Sequence, residues 1–145
     1  MKLLFSGLSL MVPFLNGMVA AADEQPTPEA IAFFETKIRP VLVEHCYKCH
    51  SAAALEANNL QSELVLDTRE GIRKGGESGP AIVPGDVKAS SLISAIRHES
   101  FAMPPKSKLP KSVIDDFVKW VESGAADPRD GKKVEIARKD VDVAA

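Results

Sequence analysis

The sequence predicts an all-α fold, a single small helical domain, and three observations carry that prediction. Apolar residues recur at helical spacing in two stretches: Ile31, Phe34, Ile38 and Val41 or Leu42 in one, Val113, Ile114, Phe117, Trp120 and Val121 in the other. Cap residues stand where these and shorter stretches begin, and glycines stand where several of them end. No run is long enough to open a βαβ unit; Leu64-Val65-Leu66 is extended but short. The 145 residues suffice for one modest domain with appendages, and no internal repeat divides them. A net charge of −2 gives no electrostatic reason to expect nucleic acid or an anionic membrane as partner.

Residues 1–22 read as a secretory signal. Lys2 supplies the positive start, Leu3 to Val19 is mostly apolar, and Ala20-Ala21-Ala22 offers a small-residue cleavage site before Asp23. The alternative is an uncleaved anchor, against which Pro13, Asn16 and Gly17 interrupt the apolar run. Cleavage removes one lysine and no acid, which takes the charge from −2 to −3 and leaves no stable membrane span. The mature chain is therefore expected outside the cytoplasm, in the periplasm or cell envelope.

The first helix begins at Thr27-Pro28-Glu29: a hydroxyl cap, a proline where no amide is needed, and an acid at the positive end of the dipole. Pro40 is expected to kink or divide it, because it removes a donor. Ala52 to Ala57 suits a short helix and Asn58-Asn59 a turn. Asp67-Thr68-Arg69-Glu70 matches a capping box with Asp67 as the cap, opening a helix that Gly75-Gly76 ends. Glu77 to Asp86 is loop, and Ser90 or Ser91 starts a helix through Arg97 that buries Leu92, Ile93 and Ile96. Phe101-Ala102-Met103-Pro104-Pro105 is held extended by its prolines. A final helix runs from about Pro110 to Ser123, with Gly124 as its stop. From residue 125 the chain is charged and poor in large apolar groups, so it reads as a loose end. The domain is drawn as 23–128, followed by a disordered tail or linker over 129–145.

Cys46-Tyr47-Lys48-Cys49-His50 is where the chemistry concentrates. Two thiols three positions apart, followed at once by an imidazole, have the spacing of a c-type haem attachment site. Each sulfur can add across one vinyl group, and His50 becomes the proximal ligand of the iron. These are the only 2 cysteines, so the expected cofactor is one haem c held through Cys46 and Cys49. The competing readings are a thioredoxin-like redox pair, half of a zinc site, or a structural disulfide. The first lacks its βαβ pattern, and for the second only His45, His98 and carboxylates remain as ligands.

A distal ligand must come from elsewhere. Of the 4 methionines, Met1, Met11 and Met18 fall in the signal, which leaves Met103 on its proline-stiffened loop. Its thioether is the candidate sixth ligand, against the alternative of a gap-filling core methionine. His98, at a helix end, competes for the role. His45 lies one turn before His50, on the same side. Arg69, Arg73 and Arg97 are candidates to meet haem propionates, with solvation as the default for each.

Residues 31 to about 128 resemble the planctomycete-type cytochrome c domain, itself similar to class I cytochromes c. The stretches that carry the resemblance are Ile38-Arg39-Pro40-Val41-Leu42, the Cys46–His50 motif, Leu66 to Gly71, Lys74 to Gly85, Met103-Pro104-Pro105 and the helix around Trp120. The resemblance implies a class I cytochrome c-like helical domain wrapped around one covalent haem, attached outside the cytoplasm. It also implies that Pro80 accepts a hydrogen bond from the proximal imidazole. The expected function is one-electron transfer with His50 and Met103 as axial ligands, not catalysis by this chain alone. Two alternatives stay open: a haem-based ligand sensor, and the electron-accepting module of a larger exported oxidoreductase. The partner is accordingly a redox protein or an adjoining catalytic domain, since members of this family usually carry the cytochrome at the front of much longer proteins.

Overall fold

The computed structural model describes residues 26–129. The signal, its cleavage site and the tail from Asp130 onward lie outside the described residues. Within them are six α-helical segments: α1 (Pro28–Phe33), α2 (Arg39–His45), α3 (Ala52–Glu56), α4 (Arg69–Lys74), α5 (Ser91–Ile96) and α6 (Lys111–Glu122). Among the described residues, β pairing is limited to the isolated bridges Gly76–Gly79 and Val83–Asp86. No helix among them is long and apolar enough to cross a membrane.

Side-chain caps account for three of the six helix starts. Thr27 is extended, and its hydroxyl accepts from the Ala30 amide at 3.2 Å, with Pro28 in the first turn. Ser51 caps α3 in the same way through the Ala54 amide at 3.1 Å. One expected cap is corrected. The hydroxyl of Thr68, not the carboxylate of Asp67, accepts from the Gly71 amide and starts α4. Asp67 is one residue too early, and its Oδ2 instead accepts from the Ala52 amide at the start of α3. Ser90 precedes α5, but its hydroxyl bridges Val83 and Asp86 and makes no cap.

Pro40 divides the first helix as expected, through a widened π segment over Phe34–Ile38. The Arg39 amide reaches back to the Phe34 carbonyl, which gives the chain the slack that a ring without an amide needs. Phe34, Ile38 and Leu42 then share one face, and all three are fully buried. The Glu35–Arg39 ion pair lies on the exposed side.

The core forms where the π segment meets α6. Phe34 and Trp120 stack at 5.6 Å between ring centroids, and Phe117 meets Trp120 edge-on at 6.2 Å. The first and last helical stretches thus cross at Phe34 and Trp120. Phe33 instead lies under the ammonium of Lys119. Ile114, Phe117, Trp120 and Val121 form the buried face of α6, against which α5 also packs.

The reading of residues 125–129 as the start of a loose end is corrected. Ala125, Ala126 and Asp127 are buried, and the Ala126 carbonyl accepts from the indole Nε1 of Trp120 at 2.7 Å. Arg129, assigned above to the tail, ion-pairs with Asp127, donates to the Tyr47 hydroxyl and the Leu66 carbonyl, and lies 4.8 Å from the ring centre of Phe34. Composition failed here because it weighs apolar area. What fastens this segment is a buried ion pair and directed hydrogen bonds.

Trp120→Ala should cost about 3–5 kcal/mol in denaturant unfolding, as expected for an indole taken from a packed core. Trp120→Phe, which removes mainly the donor to Ala126, should cost about 1–3 kcal/mol. A loss below about 1 kcal/mol for the alanine variant would contradict the packing described.

Candidate functional site

α2 delivers the chain into the Cys46–His50 turn. The amides of Cys46 and Tyr47 both reach the Leu42 carbonyl, and those of Cys49 and His50 both reach the Cys46 carbonyl, so the five residues are wound into one tight turn. The four remaining carbonyls of the turn are also engaged. Tyr47 accepts from Ser51 Oγ, Lys48 from Asn59 Nδ2, Cys49 from the Gln61 amide and His50 from the Leu66 amide, at 2.7 to 3.0 Å. The stretch after the motif, for which the sequence offers little beyond a short helix and a turn, is therefore the strap that holds it. Asn58-Asn59, legible as a turn, was the one clue.

His50 is buried, and its Nδ1 has no hydrogen-bond partner among the described residues. Burial pushes the imidazole pKa down, against the backbone of Leu64 and Gln61, and so favours the neutral ring that a metal ligand must be. Both thiols are free and half-buried. Burial raises the Cys46 thiol to about 11, the opposite of the activated thiolate a redox pair requires. Cys49 sits beside Asn59, with Sγ 4.0 Å from Nδ2. Among the described residues no group of three or more His, Cys, Asp and Glu stands together as a metal cage.

A mainly apolar cleft opens beside the turn. Cys46, His45 and His50 line it together with Leu64, Leu66, Ala81, Leu92, Phe101 and Met103. Met103 reaches it from the loop after α5, and its amide is tethered to the Ala95 carbonyl at 3.2 Å. Of the expected site residues, the structure thus gathers Cys46, His50 and Met103 around one cleft. Cys49 lies on the same turn without lining it. His98 is exposed and stands outside it, as do Arg69, Arg73 and Arg97. Pro80 lies between Gly79 and Ala81, which do line the cleft, and its carbonyl accepts from Ser91 Oγ at 2.8 Å rather than from His50.

Two glycines set one rim. Gly75 ends α4 at φ 73°, and a Cβ there would stand 1.8 Å from the Gly79 carbonyl oxygen. At Gly76 a Cβ would meet the Ser62 oxygen at 2.1 Å. Backbone must approach backbone at both positions, so the rim tolerates no side chain.

The donor set therefore comprises two free thiols on one turn, a buried neutral imidazole and a thioether sharing an apolar cleft. Residues 46–107 match the family model described as planctomycete cytochrome C, a segment that runs from the first cysteine past Met103. This segment is similar to a planctomycete cytochrome c domain. No curated protein and no solved structure matches the chain. A cytochrome c domain implies haem c and electron transfer rather than catalysis, and the residues of this cleft and its turn fit such a group: the cleft offers the Cys46 thiol, the His50 imidazole and an apolar lining, and Cys49 follows on the same turn.

Gly76→Ala should lower thermal stability by several degrees and reduce the fraction of chain that retains haem, read by melting and by haem staining on the same preparations. Gly124→Ala, where φ is 98° but no atom crowds the missing side chain, should lower stability without the second effect.

Proposed function

We propose that this chain is an exported one-electron carrier with a single haem c, attached through Cys46 and Cys49 and ligated by His50 and Met103. The observation that carries this reading is that His50 and Met103 line one cleft, with Cys46 beside them, while His98 stands outside it. The haem, when bound, supplies the redox chemistry. The protein's own residues do the rest.

Cys46 and Cys49 tether the group to a turn whose every carbonyl is hydrogen-bonded, so the tether has little freedom to swing. His50 offers a neutral ring whose main chain is fixed by the Leu66 amide. Its Nδ1 has no partner among the described residues, and the Pro80 carbonyl, the acceptor that the resemblance implies, already accepts from both the amide and the hydroxyl of Ser91, so serving the ring would require one of these bonds to yield. Met103 presents sulfur from a loop that Pro104 and Pro105 stiffen and Ala95 anchors, so little entropy is lost on ligation. A thioether favours ferrous iron relative to a second imidazole, which raises the potential. Leu64, Leu66, Leu92 and Phe101 give the cleft an apolar lining, which lowers the local dielectric around the site. The electron's other station is a redox protein or an adjoining catalytic domain, and the signal read in residues 1–22 supports an exchange in the periplasm or cell envelope.

A chain matured by a c-type attachment system should keep its haem through denaturing electrophoresis. Cys46→Ser or Cys49→Ser should each weaken retention, and the double change should abolish it. Recovery of a haem-free wild type with a Cys46–Cys49 disulfide would refute the reading. The oxidised protein should also show the weak far-red sulfur-to-iron band. Met103→Leu should erase it and admit carbon monoxide, while Met103→His should restore six-coordination at a lower potential. A bis-histidine spectrum lost only in His98→Ala would transfer the distal role to His98.

A further inference from the structure

Arg129 stands far along the chain from the haem motif yet touches it. Its Nη1 donates both to the Tyr47 hydroxyl, inside the motif, and to the Leu66 carbonyl at 2.7 Å. Leu66 in turn donates its amide to the His50 carbonyl at 2.9 Å. The far side of the guanidinium is held by Asp127 through Nε at 2.8 Å and through Nη2, and its flat face lies over Phe34. Asp127 also accepts from the Arg129 amide, which sets the short turn that aims the side chain. The Arg129 and Asp127 side chains are 8% and 1% exposed, so this is a buried ion pair and not a surface one.

A buried pair of this kind is an inefficient way to gain stability. Two apolar side chains of similar volume commonly hold such a site as well, because neither has to be stripped of water. What they cannot do is point. A guanidinium is a rigid planar fork that fixes several acceptors at set angles, and here the acceptors are Tyr47, inside the turn that carries His50, and Leu66, whose amide binds the His50 carbonyl.

We infer that Arg129 is a positioning residue for the haem motif: through Tyr47 and Leu66 it sets the angle of the Cys46–His50 turn, and with it the orientation of the His50 ring. The inference about the ring rests on the haem reading above; the inference about the turn does not. Asp127 holds the fork, and Phe34 supplies the surface on which it lies. A lysine at 129 would keep the charge and lose the second arm.

The test compares full-length chains matured with haem: wild type, Arg129→Lys, Tyr47→Phe, and the double change Arg129→Met with Asp127→Leu. Amide exchange of Leu66 is read against that of Gly85, whose amide is bound to the Val121 carbonyl and touches none of these groups. In the double variant Leu66 should exchange about tenfold faster relative to Gly85, the loss expected when a charged hydrogen-bond network is removed locally. Arg129→Lys should move it in the same direction, and Tyr47→Phe, which cuts one arm, by less. The paramagnetic shifts of the His50 ring protons in the oxidised protein should move in the same order. If the two amides accelerate together, or neither does, and the His50 shifts stay in place while only the melting temperature falls, Arg129 merely packs and the inference is overturned. Should the double variant not fold, Arg129→Lys carries the same comparison. A wild-type chain recovered without haem would refute the cofactor reading, and the Leu66-to-Gly85 ratio on that chain would still decide the role of Arg129.

Discussion

The structure depends on keeping one five-residue turn closed. Wound this tightly, the turn from Cys46 to His50 can satisfy only the first of its carbonyls from within, through the amides of Cys49 and His50. The others must be met from outside, and an unmet buried carbonyl is costly. Ser51, Asn59, Gln61 and Leu66 meet them, one each. The stretch from Ser51 to Leu66 therefore folds back over the turn, although it contains little regular structure of its own. Its position in turn seats α4 and the glycine rim, because the Ser62 carbonyl accepts from Glu77 and crowds Gly76.

Helices were legible because their signals are local. The Thr27-Pro28 start, the apolar stripe of α6 and the Gly75 and Gly124 stops each need only a few neighbouring residues to be read. The Cys-x-x-Cys-His spacing and the lone mature methionine were legible for the same reason. What could not be read were the acceptors and donors that meet across long separations. Thr68 and Asp67 differ by one position as caps, and only the distant Ala52 amide decides which is free to serve. The segment after α6 was misjudged on the same ground. Two alanines, an aspartate and an arginine look like solvent-facing chain until Trp120, Tyr47 and Leu66 are placed beside them.

The family match and the fold divide the chain differently. Residues 46–107 hold the attachment cysteines, His50 and Met103, yet Phe34, Ile38 and Leu42 precede that segment and Ile114, Phe117, Trp120 and Val121 follow it. The chemistry is thus concentrated in the middle of the chain, and the aromatic part of the core is supplied by its two flanks. Aromatic rings of this size contribute a large share of the apolar area that a small domain can bury. The segment that defines the family leans on residues outside it for its rigidity.

Arg129 and Tyr47 are separated by 82 positions, and Arg129 and Leu66 by 63. A chain made from its amino terminus exposes Cys46 and Cys49 long before residue 129 exists, and loop closure over such a span comes after the local turns have formed. There is consequently an interval in the life of every copy during which the thiols sit on a helical turn that is not yet fastened from behind. Position along the chain alone thus makes the contacts of Arg129 with Tyr47 and Leu66 the last part of the turn's support that can close.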